Sequence, residues 1–400
     1  MLILLKQEYA IIFRKRITYI LLVITIISAI LLPILSFQTF EYTFVSDTGE
    51  KIKDNGISAI IRANELQEPI VGKVSSELLN KSLKVYYKSL NSKDGTINWN
   101  KDFTIYRPIN ENLLSSLVET FEEKKICKKE AINSISKRFY SIRKEMQEKG
   151  FKEILNKNEY LYAKSLESRV IEPFTFEPQN GWDMYIMFLS YFFKISMVIS
   201  IIFLSSIFTE GKENNSIDVI SSTKYGKNKY KFVRLLANSS FSCILSVFGL
   251  IIYLLIGSFV LNYSGLKNSV QFIQVFSPQP ITIGILLGKV ILFGLMGVIS
   301  VSSITIYLSY KLEKGRTVGI IMLTSFIIYL ILNGLVSMPT SIGKTLLDLM
   351  PFKASDVYFI LLDGVNVSKL LVTIGNEKIL LVMMLLYTLV VNIKIVNSNE

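Results

Sequence analysis

Six long apolar segments constrain the fold of this chain more than any other feature of its sequence. A helix that crosses about 30 Å of hydrocarbon needs roughly 20 mainly apolar residues, and six stretches come near that length. They span residues 17–35, 184–208, 235–261, 281–310, 317–338 and 379–396. We therefore predict an all-α polytopic membrane protein with six transmembrane helices, in which 17–35 is a retained anchor and not a cleaved signal peptide.

Residues 37–183, between the first two predicted helices, have the composition of a soluble domain. Further along this insert, from about 110 to 169, apolar residues recur at spacings of three and four, which favours helices. Short segments near its start are instead rich in β-branched and aromatic residues, which favours strands. These segments are 41–47, 57–63, 83–90 and 102–108. We therefore predict that the insert is an α+β extracytoplasmic domain.

The basic residues of the loops predict the orientation of the chain. Lys and Arg are concentrated in the first 16 residues and in loop 209–234, whereas the loop between the third and fourth predicted helices contains only Lys267. Cytoplasmic loops carry the excess of Lys and Arg, so we expect both termini in the cytoplasm and the insert outside. Loop 339–378, with its four dispersed lysines, fits this assignment least well.

Charge and composition exclude several classes of function. The net charge is +12, but residues 37–183 carry 23 Lys/Arg against 22 Asp/Glu, so the excess lies beside the membrane, where anionic lipids attract cations. We therefore expect contact with membrane lipid and no nucleic-acid binding. The chain has no histidine, and its two cysteines, Cys127 and Cys243, lie in the insert and in a predicted span. No disulfide framework, metal site or histidine-based catalysis is predicted.

Two further segments leave alternatives open. Residues 1–16 mix apolar and basic residues, which suits a helix lying in the cytoplasmic interface, although they could simply extend the first span. Loop 339–378 contains the apolar stretch 357–362, which is too short to cross a bilayer. This loop is either a re-entrant or surface-lying hairpin or an ordinary packed loop.

In the fourth span, Gly284 and Gly288 have the spacing that permits close helix packing.

Loop 209–234 is the most informative segment for function. Glu210 stands where the second predicted span leaves the membrane, and the residues after it favour a short amphipathic helix. The cap candidates are Asn214, Asn215 and Ser216, and the apolar face comprises Ile217 and Ile220. Such a helix could dock in a groove of a soluble partner and transmit movement to the two attached spans. Alternatively, the segment is a basic loop that only sets the topology.

This loop resembles the signature of permease subunits of the ABC-2 type of ATP-binding-cassette exporter. Glu210, Ser216, Asp218, Val219-Ile220 and Ser222 follow in the order of that signature, while Asn215 and Thr223 stand where the family usually has Gly and Pro. The resemblance implies a coupling helix seated on a separate cytosolic ATPase subunit, which binds ATP and Mg, and a second permease subunit as partner. The implied ATPase-coupling residues are Glu210, Ile217, Asp218, Val219, Ile220 and Ser222.

The chain has no ATPase site of its own in this interpretation. Residues 338–345 end in Gly-Lys-Thr like a phosphate-binding loop, but Met338 occupies the position that requires the first glycine. The segment also follows a predicted span and not a strand, on the outer side of the membrane. We therefore predict a transport subunit that is not itself an enzyme and holds no cofactor.

Two lysines lie inside predicted spans. Lys194 and Lys289 are about 12–15 Å deep from the outer side at 1.5 Å per residue, and no Asp or Glu has a comparable depth in any predicted span. An intramembrane charge is costly and usually faces a cavity or a partner. We therefore expect a cavity that receives an anionic group of a lipid or substrate; alternatively, both side chains extend to the outer headgroups.

Together these features predict the membrane subunit of an ATP-driven exporter in the bacterial plasma membrane. Its cargo would be a peptide, an antimicrobial or a lipid-like molecule. The main alternative is a sensing or immunity module of similar architecture, which binds an antimicrobial peptide and signals without transporting it. A membrane enzyme with an outer active site is a third possibility, for which the sequence offers no motif.

Overall fold

The computed structural model describes most of the 400 residues. The described residues are 1–45, 50–89, 100–115, 128–155, 157–213, 228–335, 347, 350–363, 382, 384–390 and 393–394.

Five helices are long and apolar enough to cross a membrane. The candidate spans are Arg16–Gln38, Trp182–Gly211, Lys229–Ser258, Ile283–Lys311 and Gly315–Gly334. They correspond to helices α2 (Arg16–Gln38), α8 (Trp182–Leu204), α10 (Asn228–Ser258), α11 (Ile283–Lys311) and α12 (Gly315–Leu335). The chain thus has the architecture of a multi-pass, all-α membrane protein. Of the predicted sixth span, 379–396, the structure describes 382, 384–390 and 393–394, which are helical, and the rest of that span lies outside the described residues.

Helix α8 is the centre of the bundle and packs against both α2 and α11. Its aromatic side chains Phe192 and Phe193 are fully buried. A Cβ atom on Gly294 of α11 would overlap the Phe193 ring, so glycine is required for this close approach. A Cβ atom on Gly288, by contrast, would have no neighbouring atom within 4 Å. The close helix packing predicted for the Gly284–Gly288 pair is therefore not found at Gly288.

Helix α1 (Leu2–Arg14) is separate from α2. The backbone at Lys15 is extended, with φ −79° and ψ 127°, and this break ends the first helix. Helix α1 packs against α10, where the Tyr9 and Ser240 hydroxyls lie 2.7 Å apart and Ile12 is buried. Within residues 1–16, Leu2–Arg14 is therefore a distinct helix and not a straight extension of the first span.

The insert is mainly helical, which corrects part of the sequence prediction. Of the four predicted strands, only 41–47 contains one, β1 (Glu41–Val45), which pairs antiparallel with β2 (Lys51–Asn55). The other three lie in α3 (Gly56–Gln67), α4 (Ser76–Ser89) and α5 (Lys101–Ile109), as far as they are described. In α3 the buried residues recur with helical periodicity, so packing against one face overrides the β-branched composition. The remaining strands, β3 (Gly72–Lys73) and β4 (Thr175–Phe176), form a second small sheet.

The rest of the insert follows the predicted helical pattern. It comprises a π-helical turn at Asn110–Leu114, α6 (Lys128–Ile154) and α7 (Lys157–Glu167). Its core also contains Phe272 and Val275, which belong to the connection between α10 and α11. The insert is therefore joined to the bundle through this connection as well as through its two ends.

The described part of loop 339–378 lies inside the bundle. A 3-10 helix, Pro351–Asp356, leads into α13 (Val357–Asp363), and both pack against α8 and α11. Phe352 and Val357 are buried, and Ala354 lies beside Gly297 in the middle of α11. These residues do not lie on the surface of the bundle. We refer to 350–363 as the inserted segment.

Candidate functional site

The first candidate site lies where α8 ends, on the side of the bundle that carries the N-terminus. Short helix α9 (Thr209–Glu213) follows α8, and its Glu210 carboxylate forms an ion pair with Lys15. Lys15 is the residue at which α1 gives way to α2. Glu210 is thus joined to the junction of two other helices, a contact that the sequence analysis did not predict.

The other predicted coupling residues lie outside the described residues. These are Ile217, Asp218, Val219, Ile220 and Ser222, all within 214–227. Their helical arrangement and their role stay predictions. What the structure gives is the position of the two ends between which this segment runs.

The end at α10 also has contacts with neighbouring helices. The Lys231 ammonium donates a hydrogen bond of 3.0 Å to the Tyr310 hydroxyl of α11. Glu8 of α1 is buried near Arg234 of α10; burial raises the pKa of Glu8, and the positive charges of Arg234 and Lys15 oppose that rise. Both ends of 214–227 are therefore fixed to α1 or α11, so a displacement of the segment would act on the whole helical bundle.

The second candidate site is a buried ion pair within the bundle. Lys194 lies 12 positions after Trp182 in α8, and its Nζ is 2.6 Å from Oδ1 of Asp356 in the inserted segment. The side chain of Lys194 is 14% exposed and that of Asp356 is 2% exposed. This corrects the expectation that Lys194 has no internal counter-ion. The acid comes from a loop that enters the bundle, and not from a span.

The second oxygen of Asp356 faces α12. Oδ2 accepts hydrogen bonds from the Tyr329 hydroxyl and, at 3.2 Å, from the Asn333 amide. Lys353, also of the inserted segment, donates a 3.1 Å hydrogen bond to the side-chain Oδ1 of Asn333. Asp356 therefore joins the inserted segment to α8 and α12 at once. The free-energy cost of burying a carboxylate is much lower when several donors contact it than when it is isolated.

The sequence contains one signal for this cluster that the sequence analysis missed. Tyr329 and Asn333 are four residues apart in an otherwise apolar helix, which places them on the same face. Polar residues on one face of a membrane-spanning helix indicate a polar partner. Their partner, Asp356, could not be identified from a predicted loop, because loop sequence contains no information about depth.

Lys289, the second lysine predicted inside a span, is half-buried on α11. The expected anionic cavity at Lys289 stays a prediction. Within the described residues there is also no group of His, Cys, Asp and Glu that could hold a metal ion.

The chain was compared with protein-family models, with curated proteins and with solved structures. None of the three comparisons gives a match.

Proposed function

We propose that this chain is the membrane-spanning permease subunit of an ATP-driven exporter of the ABC-2 type. In this proposal six spans cross a bacterial plasma membrane, both termini are cytoplasmic, and the insert is extracytoplasmic. A separate cytosolic ATPase binds the 214–227 segment, and a second permease subunit completes the path. The cargo is a peptide, an antimicrobial or a lipid-like molecule.

The observation that carries the proposal is the fixation of Glu210 by Lys15. A partner that pushes on 214–227 would move α9 and α8 directly, and the ion pair would pass the same displacement to the junction of α1 and α2. A loop that served only to set the topology would need no such attachment. The arrangement therefore favours the lever interpretation over the simple basic loop.

Helix α8 extends this lever into the bundle. Its 23 residues form one continuous helix of about 35 Å, at 1.5 Å per residue. The same helix carries Lys194, which holds the inserted segment through Asp356. Movement that starts at the ATPase would thus reach a segment buried among the spans, as alternating access requires.

The test is co-purification in detergent with a candidate cytosolic ATPase. We expect the wild-type chain to retain the ATPase and the Val219→Asp/Ile220→Asp variant to lose it, because two charges would remove the apolar docking face. Ile57→Asp/Ile61→Asp is the matched control, since it makes the same chemical change at exposed positions of the insert. If no ATPase associates, or if both variants retain it equally, the coupling assignment fails.

One observation favours the alternative of a sensing or immunity module. The insert is connected to the bundle through buried Arg143, which donates a 3.1 Å hydrogen bond to the Val275 carbonyl in the α10–α11 connection. A ligand of the insert could therefore alter the bundle without being transported. Uptake of labelled peptide into inverted vesicles would favour the exporter, whereas an ATPase rate independent of the peptide and a requirement for a partner kinase would favour the sensor.

A further inference from the structure

A half-open cavity of about 220 Å³ lies where the insert meets the start of α8. Its walls come from the end of α2 and β1, from α3, from α5 and its π-helical extension, and from the α10–α11 connection. Aromatic side chains form part of the lining, and amide side chains form another part. The aromatic residues are Phe40, Tyr42 and Phe272, and the amides include Gln67 and Asn180.

In the part of the chain that the structure describes, two of the acidic side chains that line this cavity are paired with a cation, and a third is not. Arg107 pairs with Glu111 at 2.7 Å, and Glu41 pairs with Lys53 at 2.6 Å. Asp183, which also lines the cavity, has no Lys or Arg nitrogen within ion-pair distance among the described residues. The cavity therefore contains one carboxylate whose charge is not neutralised by a neighbouring cation.

Two contacts of Asp183 offset part of the cost of burying its carboxylate. It lies in the first turn of α8, where the helix dipole stabilises negative charge. The Tyr358 hydroxyl of α13 donates a hydrogen bond to its Oδ1. These contacts explain how the carboxylate is tolerated at a partly buried position, but neither brings a positive charge to it.

The aromatic wall suits a positively charged ligand. The rings of Phe40 and Tyr42 are stacked with centroids 6.0 Å apart, and the Arg107 guanidinium already lies 4.7 Å from the Tyr42 ring centroid. Aromatic faces attract organic cations through their quadrupole, and their apolar surface also accepts the carbon skeleton of the ligand.

We propose that this cavity binds an organic ammonium group carried on an apolar or aromatic stem, with Asp183 as its anion. A lysine side chain or the amino terminus of an amphipathic peptide has this chemistry. The ligand would share the Asp183 carboxylate with Tyr358, which lies two residues after Asp356 of the inserted segment. A ligand bound in the cavity would therefore alter a contact of the inserted segment. The site belongs to this chain alone and does not depend on the proposed ATPase.

The first experiment uses the intrinsic fluorescence of Trp182. The chain has two tryptophans, so a Trp99→Phe background leaves Trp182, the neighbour of Asp183, as the only reporter. The chain purified in a non-ionic detergent is titrated with phenethylammonium, phenethyl alcohol and phenylacetate, which differ in charge and little in shape. We expect saturable binding of the ammonium, weakened by added NaCl, and binding at least about tenfold weaker for the other two. Equal binding of all three compounds would overturn the proposal.

The second experiment identifies the anion. Asp183→Asn keeps an oxygen that accepts the Tyr358 hydrogen bond but removes the charge, and we expect phenethylammonium to bind at least about tenfold more weakly. Glu65→Gln is the control: it makes the same kind of change at an exposed carboxylate of α3 that is not part of the cavity lining, and should change the affinity less than about twofold. An unchanged affinity in Asp183→Asn, or an equal loss in the control, would show that Asp183 is not the anchor. If Asp183→Asn does not fold, the first experiment still tests the proposal, because it compares ligands of different charge, with and without NaCl, on a chain that keeps Asp183.

Discussion

At the scale of single residues, Asp356 is an acid buried among the helices of the bundle. Its charge is removed from water, and its stability there depends on one cation and on two neutral donors of α12. Such a pair is costly to desolvate, and replacing both partners together is often tolerated. Removing one partner alone leaves an uncompensated buried charge, which is much worse.

We therefore predict strong coupling between Lys194 and Asp356. Asp356→Asn should lower the free energy of unfolding by about 3–5 kcal/mol, because it leaves the Lys194 ammonium buried without an anion. Adding Lys194→Gln should recover about 1–3 kcal/mol of that loss, since the second change removes the stranded charge. The measurement is a double-mutant cycle of unfolding in mixed micelles.

Lys267→Gln is the control for this cycle, because Lys267 is an exposed lysine at the end of the bundle. It should change the unfolding free energy by less than about 0.5 kcal/mol. Additive single effects of Lys194→Gln and Asp356→Asn would show that the two charges do not depend on each other.

At the scale of elements, the spans were easier to predict than the insert. Residues 281–310 were predicted as a span and the helix is Ile283–Lys311, because hydrocarbon thickness sets both its length and its composition. The segment 57–63 was predicted as a strand, but its buried Ala59, Ile60 and Ala63 lie on one face of helix α3. In a soluble domain the tertiary contacts decide between such alternatives, and these contacts cannot be deduced from a local pattern. The position of the inserted segment depends on tertiary contacts in the same way.

The Lys15–Glu210 pair gives a prediction about α9. Lys15→Glu and Glu210→Lys should each increase amide hydrogen exchange in 209–213, because like charges would separate α9 from the α1–α2 junction. The variant with both substitutions again has opposite charges at these two positions. It should recover most of the protection of these amides from hydrogen exchange. Mass-spectrometric hydrogen exchange on the purified chain measures this without any partner ATPase.

Lys53→Glu is the corresponding control. It reverses one charge of another surface ion pair, with Glu41 of the insert, and should leave exchange in 209–213 unchanged. If the doubly reversed chain exchanges as fast as the single variants, the ion pair does not hold α9 in place, and the lever argument loses its main support.

At the scale of the whole molecule, Arg143 is one of the residues that join the insert to the α10–α11 connection of the bundle. Its fully buried guanidinium pairs with Glu167 and, at 3.2 Å, with Glu172, and it also donates to the Val275 carbonyl. Burial raises the pKa of Glu167, and Arg143 is the cation that opposes this rise. One side chain thus stabilises the acids of the insert and fixes the α10–α11 connection beside them.

Arg143→Met should therefore loosen both parts of the molecule together. It removes the hydrogen bond to Val275 and the buried cation of Glu167, while Glu172 keeps its pair with Lys144. We therefore expect faster hydrogen exchange in 270–277 as well as in α6 and α7. Arg138→Met is a closely matched control on the same helix, since the ion pair of Arg138 with Glu145 is exposed, and should have little effect. Faster exchange confined to α6 and α7 would mean that the insert and the bundle move independently. A joint response would mean that a ligand bound to the insert has a physical route to the spans, which both the exporter and the sensor proposals require.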